Sequence, residues 1–155
     1  MRTRNIMVYR ERMRQVVRVL CEVKEQGRLF SLSNWGTDDP ISIKHFILDG
    51  TIPEGSCGTV ACAIGHVGLD PWFNRRHFML EKYNKCEAEP TFRVNGRKYK
   101  YRAWYAVRKF FNLSYDDSEN MFMERYYDDG YTIDDVIARV NEYISSTYGA
   151  EYVVA

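Results

Sequence analysis

Apolar residues recur at helical spacing from the start of the chain. Ile6, Met13, Val16, Val17, Leu20 and Val23 share one face of a helix predicted over residues 5–26, and Gly27 ends it. Arg10, Arg14 and Arg18 follow one another at i, i+4, i+8 on a different face. That face reads as solvated surface, with contact to phosphates or to an acidic partner as the alternative. The period then changes. Leu29-Phe30-Ser31-Leu32-Ser33-Asn34-Trp35 alternates as a short strand or extended segment does. Asp39-Pro40 is an N-cap followed by an N1 proline, ahead of one or two helical turns carrying Ile41, Ile43, Phe46 and Ile47. Asp49-Gly50 and Pro53-Glu54-Gly55 are turn chemistry.

The run from Ser56 to Gly68 reads as a helix of small residues, with Ser56 as N-cap and Gly68 and Asp70-Pro71 as the stop. At about 100° per residue, Cys57, Val60, Ala61, Ile64 and Val67 share one face, and Thr59, Cys62 and His66 lie opposite. No charged side chain occurs in it, and it contains Gly58, Gly65 and Gly68. Each glycine weakens a helix by roughly 1 kcal/mol, so tight packing on both sides must compensate. We therefore expect this helix at the centre of the molecule.

Downstream, Asp70-Pro71 opens a short turn of helix with Trp72 and Phe73, and Phe78-Met79-Leu80 reads as a strand. Asn95-Gly96 between two short runs is a hairpin signal for a type I′ turn. A helix over roughly Tyr101 to Asn112 follows, with Trp104, Val107 and Phe111 inward. Ser114 caps the next helix, with Asp117 at the capping-box position and Met121 and Phe122 as anchors. Residues 126–130 form a loop. Thr132 caps a last helix whose apolar face is Ile133, Val136, Ile137, Val140 and Ile144. The tail after Gly149 is expected to fray or to add an edge strand. The sum is a mainly α (α+β) single domain over residues 1–155, with frayed ends at 1–4 and 149–155. Five to six helices surround the central one, with a small hairpin or sheet.

Composition sharpens this picture. The chain has 155 residues, 45% of them hydrophobic and 15% aromatic, enough to fill one core. Net charge is +1, but it is unevenly spread. Residues 1–28 hold eight Lys/Arg against three Glu, residues 93–109 hold seven Lys/Arg and no acid, and residues 116–135 hold eight Asp/Glu and one Arg. There is no apolar run of membrane-spanning length, and no signal-peptide core follows the basic start. With four scattered cysteines, 21, 57, 62 and 86, this predicts reduced thiols in a cytoplasm and no membrane partner.

Several landmarks stand in a recognisable order: the amphipathic first helix, Arg28-Leu29-Phe30-Ser31-Leu32-Ser33-Asn34-Trp35, Cys57-Gly58-Thr59-Val60-Ala61-Cys62-Ala63-Ile64-Gly65, Phe110-Phe111-Asn112-Leu113-Ser114 with Met121-Phe122, and residues 132–140. In this the chain resembles a family of small bacterial and bacteriophage proteins with a Cys-Gly-Thr-x-x-Cys-x-x-Gly core. The resemblance carries no established activity and no catalytic residue. It implies a phage or bacterial cytoplasmic setting. The chain departs from the pattern in a longer 36–54 segment and at His66, where a bulky aromatic is expected.

The candidate chemistry is limited. Residues 92–109 interleave cations with aromatic rings, the pattern that holds phosphates and stacks bases. Arg97, Lys98, Lys100, Arg102 and Lys109 are the candidate ligand-binding residues, for a host protein, nucleic acid or nucleotide. The competing assignment makes Tyr99, Tyr101 and Trp104 core and the cations a solvated rim. A helix-turn-helix over 101–124 is disfavoured, because its second helix would carry Asp116, Asp117, Glu119 and Glu124 into the major groove. The rival class is an enzyme. Cys57, near a helix N-terminus, is the candidate nucleophile, with His45, His66 or His77 as base. Cys62 and His66 at i, i+4 are a candidate metal pair, with Cys86 or His77 completing the set. Buried structural thiols are the simpler assignment for both cysteines. The expected function is a non-enzymatic cytoplasmic binding protein, phage-encoded and acting on a host component, without a cofactor.

Overall fold

The computed structural model describes residues 3–32, 35–36, 61–83, 88–96 and 98–155. The expected turns and helix between 37 and 60, with Ser56 and Cys57, lie outside them, as do Cys86 and Arg97. The fold is mainly helical with one small sheet. Helix α1 spans Thr3–Glu25, α2 Ala63–Gly68 and α3 Pro71–Asn74. Strands β1 (Phe78–Lys82), β2 (Ala88–Val94) and β3 (Tyr99–Arg102) form an antiparallel meander in the order β1-β2-β3. Helices α4 (Ala103–Phe111), α5 (Tyr115–Phe122) and α6 (Ile133–Tyr148) complete it, with single 3-10 turns at Glu124–Tyr126 and Ala150–Tyr152. Among the described residues, no helix is long and apolar enough to cross a membrane.

Helix α1 runs through the core as the pattern requires. Met13, Val16, Val17, Leu20 and Val23 are buried, whereas Ile6, placed on the same stripe, is exposed because the helix overhangs the core at its start. Gly27 leaves the helix at φ +62, a conformation that costs glycine nothing. Of the 29–35 stretch, the described residues 29–32 form an extended segment with a single bridge rather than a ladder. Phe30 makes one parallel bridge to Ala61, and Ser31 N–H donates to the Ala61 carbonyl at 3.1 Å.

That bridge explains a correction at the centre of the chain. The expected helix over 56–68 is not continuous through the described residues 61–68. Ala61 and Cys62 are held extended beside residues 30–31, Cys62 is the N-cap, and α2 begins at Ala63. What remains of the small-residue helix is enclosed, since every residue from Ala63 to Gly68 is buried. A Cβ on Gly65 would overlap the Trp35 carbonyl oxygen, and one on Gly68 would sit 2.8 Å from the Leu80 nitrogen. The glycines are therefore set by close approach of backbone on two sides.

The hairpin differs in one detail. Asn95 and Gly96 both take positive φ, +53 and +66, as the turn signal implies. Val94 pairs with Tyr99, however, so the connection is residues 95–98 rather than two residues, and β3 extends to Arg102. The next helix accordingly starts at Ala103 and not at Tyr101. Phe110 joins Phe111 in a fully buried aromatic cluster with Phe73 and Phe78, with centroids 4.7 to 6.2 Å apart. Ser114 and Thr132 cap their helices as expected, Thr132 in a reciprocal box with Asp135. In place of an edge strand, the tail turns back onto α1. Arg14 Nε donates to the Tyr152 carbonyl at 2.8 Å, and the Arg10 guanidinium lies 3.9 Å from the centre of the Tyr152 ring. Two cations expected to face solvent or an acidic partner are thus spent on the tail.

Candidate functional site

The described cations among those singled out between 97 and 109 fall in three places. Lys98 is exposed at the end of the hairpin. On the sheet, Lys100 Nζ lies 3.9 Å from a Glu81 oxygen and Arg102 Nε lies 2.5 Å from Glu89 Oε1. Arg93 also donates to Glu81. Counting charge only within 93–109 missed these acids, which come from β1 and β2 and become neighbours by strand pairing. Lys109 stands apart from them, on α4.

Around Lys109 the aromatic rings are ordered. The chain turns sharply from β3 into α4 at Ala103, whose φ is +56. This junction brings Tyr101 and Tyr105 into a stacked pair, with centroids 5.7 Å apart and planes 24° off parallel. One turn on, Lys109 Nζ is 5.7 and 5.8 Å from the two ring centres. The Arg108 guanidinium sits between Tyr105 and Tyr115, at 5.4 and 5.0 Å. Tyr105 is 53% exposed and Tyr115 56%. The cations keep donors free in this arrangement, because a ring face takes none of their hydrogens.

Tyr115 also forms one wall of a cavity of about 580 Å³, whose other walls include Trp35, Trp104, Tyr83, Glu119 and Arg125. Trp35 and Trp104 meet edge to face at 5.6 Å. Trp104, expected to point inward, thus lines a recess and is only half-buried. The Glu119 side chain is 4% exposed. Its Oε1 accepts from Arg125 Nη2 at 2.7 Å and its Oε2 from the Tyr126 hydroxyl at 2.8 Å. Burial raises the affinity of this carboxyl for a proton. Hydrogen bonds from Tyr126 and Tyr115, with the charge of Arg125, outweigh that and hold it below the usual range. It is therefore a carboxylate at neutral pH.

Nothing in the acidic 116–135 composition singled out Glu119 from its neighbours. A signal was present in the spacing. Ser118, Met121 and Phe122 are the buried stripe of α5, and Glu119 lies beside it, three residues from Phe122 and four from Tyr115. A lone acid bordering an apolar stripe is the position to test for burial.

The rival sites fare differently. Cys57 and His45 are outside the described residues. Cys62 Sγ accepts from Gly65 N–H at 3.4 Å as a helix cap, and burial pushes its thiol up to about 12. His66 is buried with Nε2 2.8 Å from the Leu29 carbonyl oxygen, so that nitrogen carries the hydrogen and donates. Burial lowers its pKa to about 4. Cys62 Sγ and His66 Nε2 are each bonded to backbone, while His66 Nδ1 is buried without a hydrogen-bond partner among the described residues. His66 lies against Phe30, with planes 14° apart. Among the described residues no three His, Cys, Asp or Glu side chains are grouped to hold a metal ion. Compared with protein-family models, with curated proteins and with solved structures, the chain finds no match.

Proposed function

We propose that this is a non-enzymatic cytoplasmic binding protein, phage-encoded, whose ligand is a single-stranded nucleic acid of the host cell. One observation carries the reading. The stacked Tyr101 and Tyr105 with Lys109 over both rings, and Arg108 between the exposed Tyr105 and Tyr115, form a run of rings and cations whose last ring also lines a recess. Bases stack on aromatic faces whatever their sequence, and the cations meet the phosphates between them. Duplex reading is disfavoured, because α5, the following helix, carries exposed Asp116 and Asp117 at its start. The phage setting rests on the resemblance of residues 57–65 and their companion patches to the small bacteriophage proteins named above.

The test is fluorescence anisotropy with labelled single-stranded oligonucleotides at 50 and 200 mM salt. The reading expects binding at low salt that weakens as salt rises. Exchanging both Arg108 and Lys109 for Gln should weaken binding at least tenfold and lower the slope of log affinity on log salt by about one to two, since each phosphate contact contributes roughly 0.7 for a single strand. No binding at low salt would end it and leave a protein partner.

A further inference from the structure

We propose that the cavity walled by Trp35, Trp104, Tyr83 and Tyr115 receives one base of the bound strand, and that Glu119 selects guanine there. This rests on the strand-binding reading above and adds a specificity to it.

Tyr115 belongs to both features: the Arg108 guanidinium lies 5.0 Å from its ring, and the same ring lines the cavity. A strand held at Tyr105 and Tyr115 therefore lies beside the cavity. A base turned out of the stack needs a slot with flat apolar walls and a polar group that reads its edge. The two tryptophans and two tyrosines supply the walls, and about 580 Å³ suits a ligand of nucleotide size.

Glu119 supplies the polar group. An ionised carboxylate only accepts, and it has about four acceptor positions. Arg125 occupies one on Oε1 and the Tyr126 hydroxyl one on Oε2. Those bonds take two of the positions, and among the described residues the exposed Tyr115 hydroxyl also bears on the carboxylate. A base that displaces that hydroxyl can donate to both oxygens. Guanine presents two adjacent donors on its Watson–Crick edge, the N1 hydrogen and the N2 amine. Adenine and cytosine place an acceptor nitrogen beside their amine, and thymine or uracil flank one N–H with two carbonyl oxygens. Each of these sets a lone pair against the carboxylate. Arg125 and Tyr126 keep the carboxylate fixed, so a matching edge meets a preset acceptor pair rather than one that must be ordered on binding.

The experiment uses five nine-base DNA strands, each four thymines, one central base and four thymines, measured by anisotropy at 50 mM salt. The central base is guanine, inosine, adenine, cytosine or thymine. We expect guanine to bind about tenfold more tightly than adenine, cytosine and thymine. Inosine lacks the N2 amine and should fall between. Tryptophan emission should be quenched more by the guanine strand than by the all-thymine strand. Glu119→Gln, checked for folding by circular dichroism, should bind the guanine strand no more tightly than the other four. The inosine comparison on the wild type needs no variant and stands even if Glu119→Gln fails to fold. Equal binding of all five strands by the wild type overturns the base pocket while leaving strand binding intact. Guanine preference that survives in folded Glu119→Gln overturns the role of Glu119. Binding of none of them removes the strand-binding reading, and this inference with it.

Discussion

A single imidazole gives the clearest link between burial and a measurable property. His66 is 1% exposed, and burial takes its pKa from the ordinary 6.5 to about 4, with Arg28 adding to the fall and the Leu29 carbonyl opposing it. In the unfolded chain the ring takes up a proton near pH 6.5, while in the fold it stays neutral down to about 4. Between those values the unfolded state binds more protons, so stability must fall as pH drops through that window. The full effect is on the order of 3 kcal/mol. Urea unfolding at pH 7 and pH 4.5 should show it, and His66→Gln should flatten the difference. Equal pH dependence in the variant would mean other groups carry it. Cys62 supports a second prediction at this scale. With its thiol pushed up to about 12, it should resist iodoacetamide at neutral pH until the protein unfolds, as read by mass spectrometry of its peptide. Rapid labelling in the native state would contradict the burial described.

At the scale of elements, α2 shows what small residues accomplish. Six residues make too short a helix to be stable alone, so its formation depends on its neighbours. They approach where side chains are absent: the backbone at Trp35 over Gly65, and β1 over Gly68. Gly65→Ala should therefore destabilise the protein by about 2 kcal/mol or more, despite the better helix propensity of alanine. Chemical denaturation measures this directly, and a neutral or stabilised variant would show that the approach is not as close as described. A milder change is expected at α6. Thr132→Ala removes the hydroxyl that accepts from Asp135 N–H and should cost about 1 kcal/mol.

At the scale of the whole molecule, the chain's last residues are fastened to α1 and α6. Arg10 and Arg14 fasten the Tyr152 turn, and Asn141 exchanges two hydrogen bonds with Val154. Tyr152 and Val154 pack against the core. Truncation after Gly149 should lower stability by about 2 kcal/mol, or roughly 5 °C in melting temperature, from the apolar area lost. A thermal melt unchanged by the truncation would show the tail to be an ornament. The polarised charge of the chain has a different outcome at this scale. The basic 1–28 segment is partly consumed internally, while on α4 the cations remain over exposed rings.

Local information determined much of this protein. The long first helix, the Asp70-Pro71 start, the caps at Ser114 and Thr132, and positive φ at Asn95 and Gly96 depend on residues within a turn of one another, so they are legible in order along the chain. The sequence also marked 63–68 as enclosed, because absence of charge and presence of glycine are local facts with a packing consequence. Tertiary structure decided the rest. The Phe30–Ala61 bridge moved the start of α2, and strand pairing placed Glu81 and Glu89 beside cations counted as free. The turn at Ala103 stacked two tyrosines, and the packing of α5 buried one acid among several. Each outcome depends on partners distant in sequence, and no period or spacing along one segment encodes which distant group will arrive beside it.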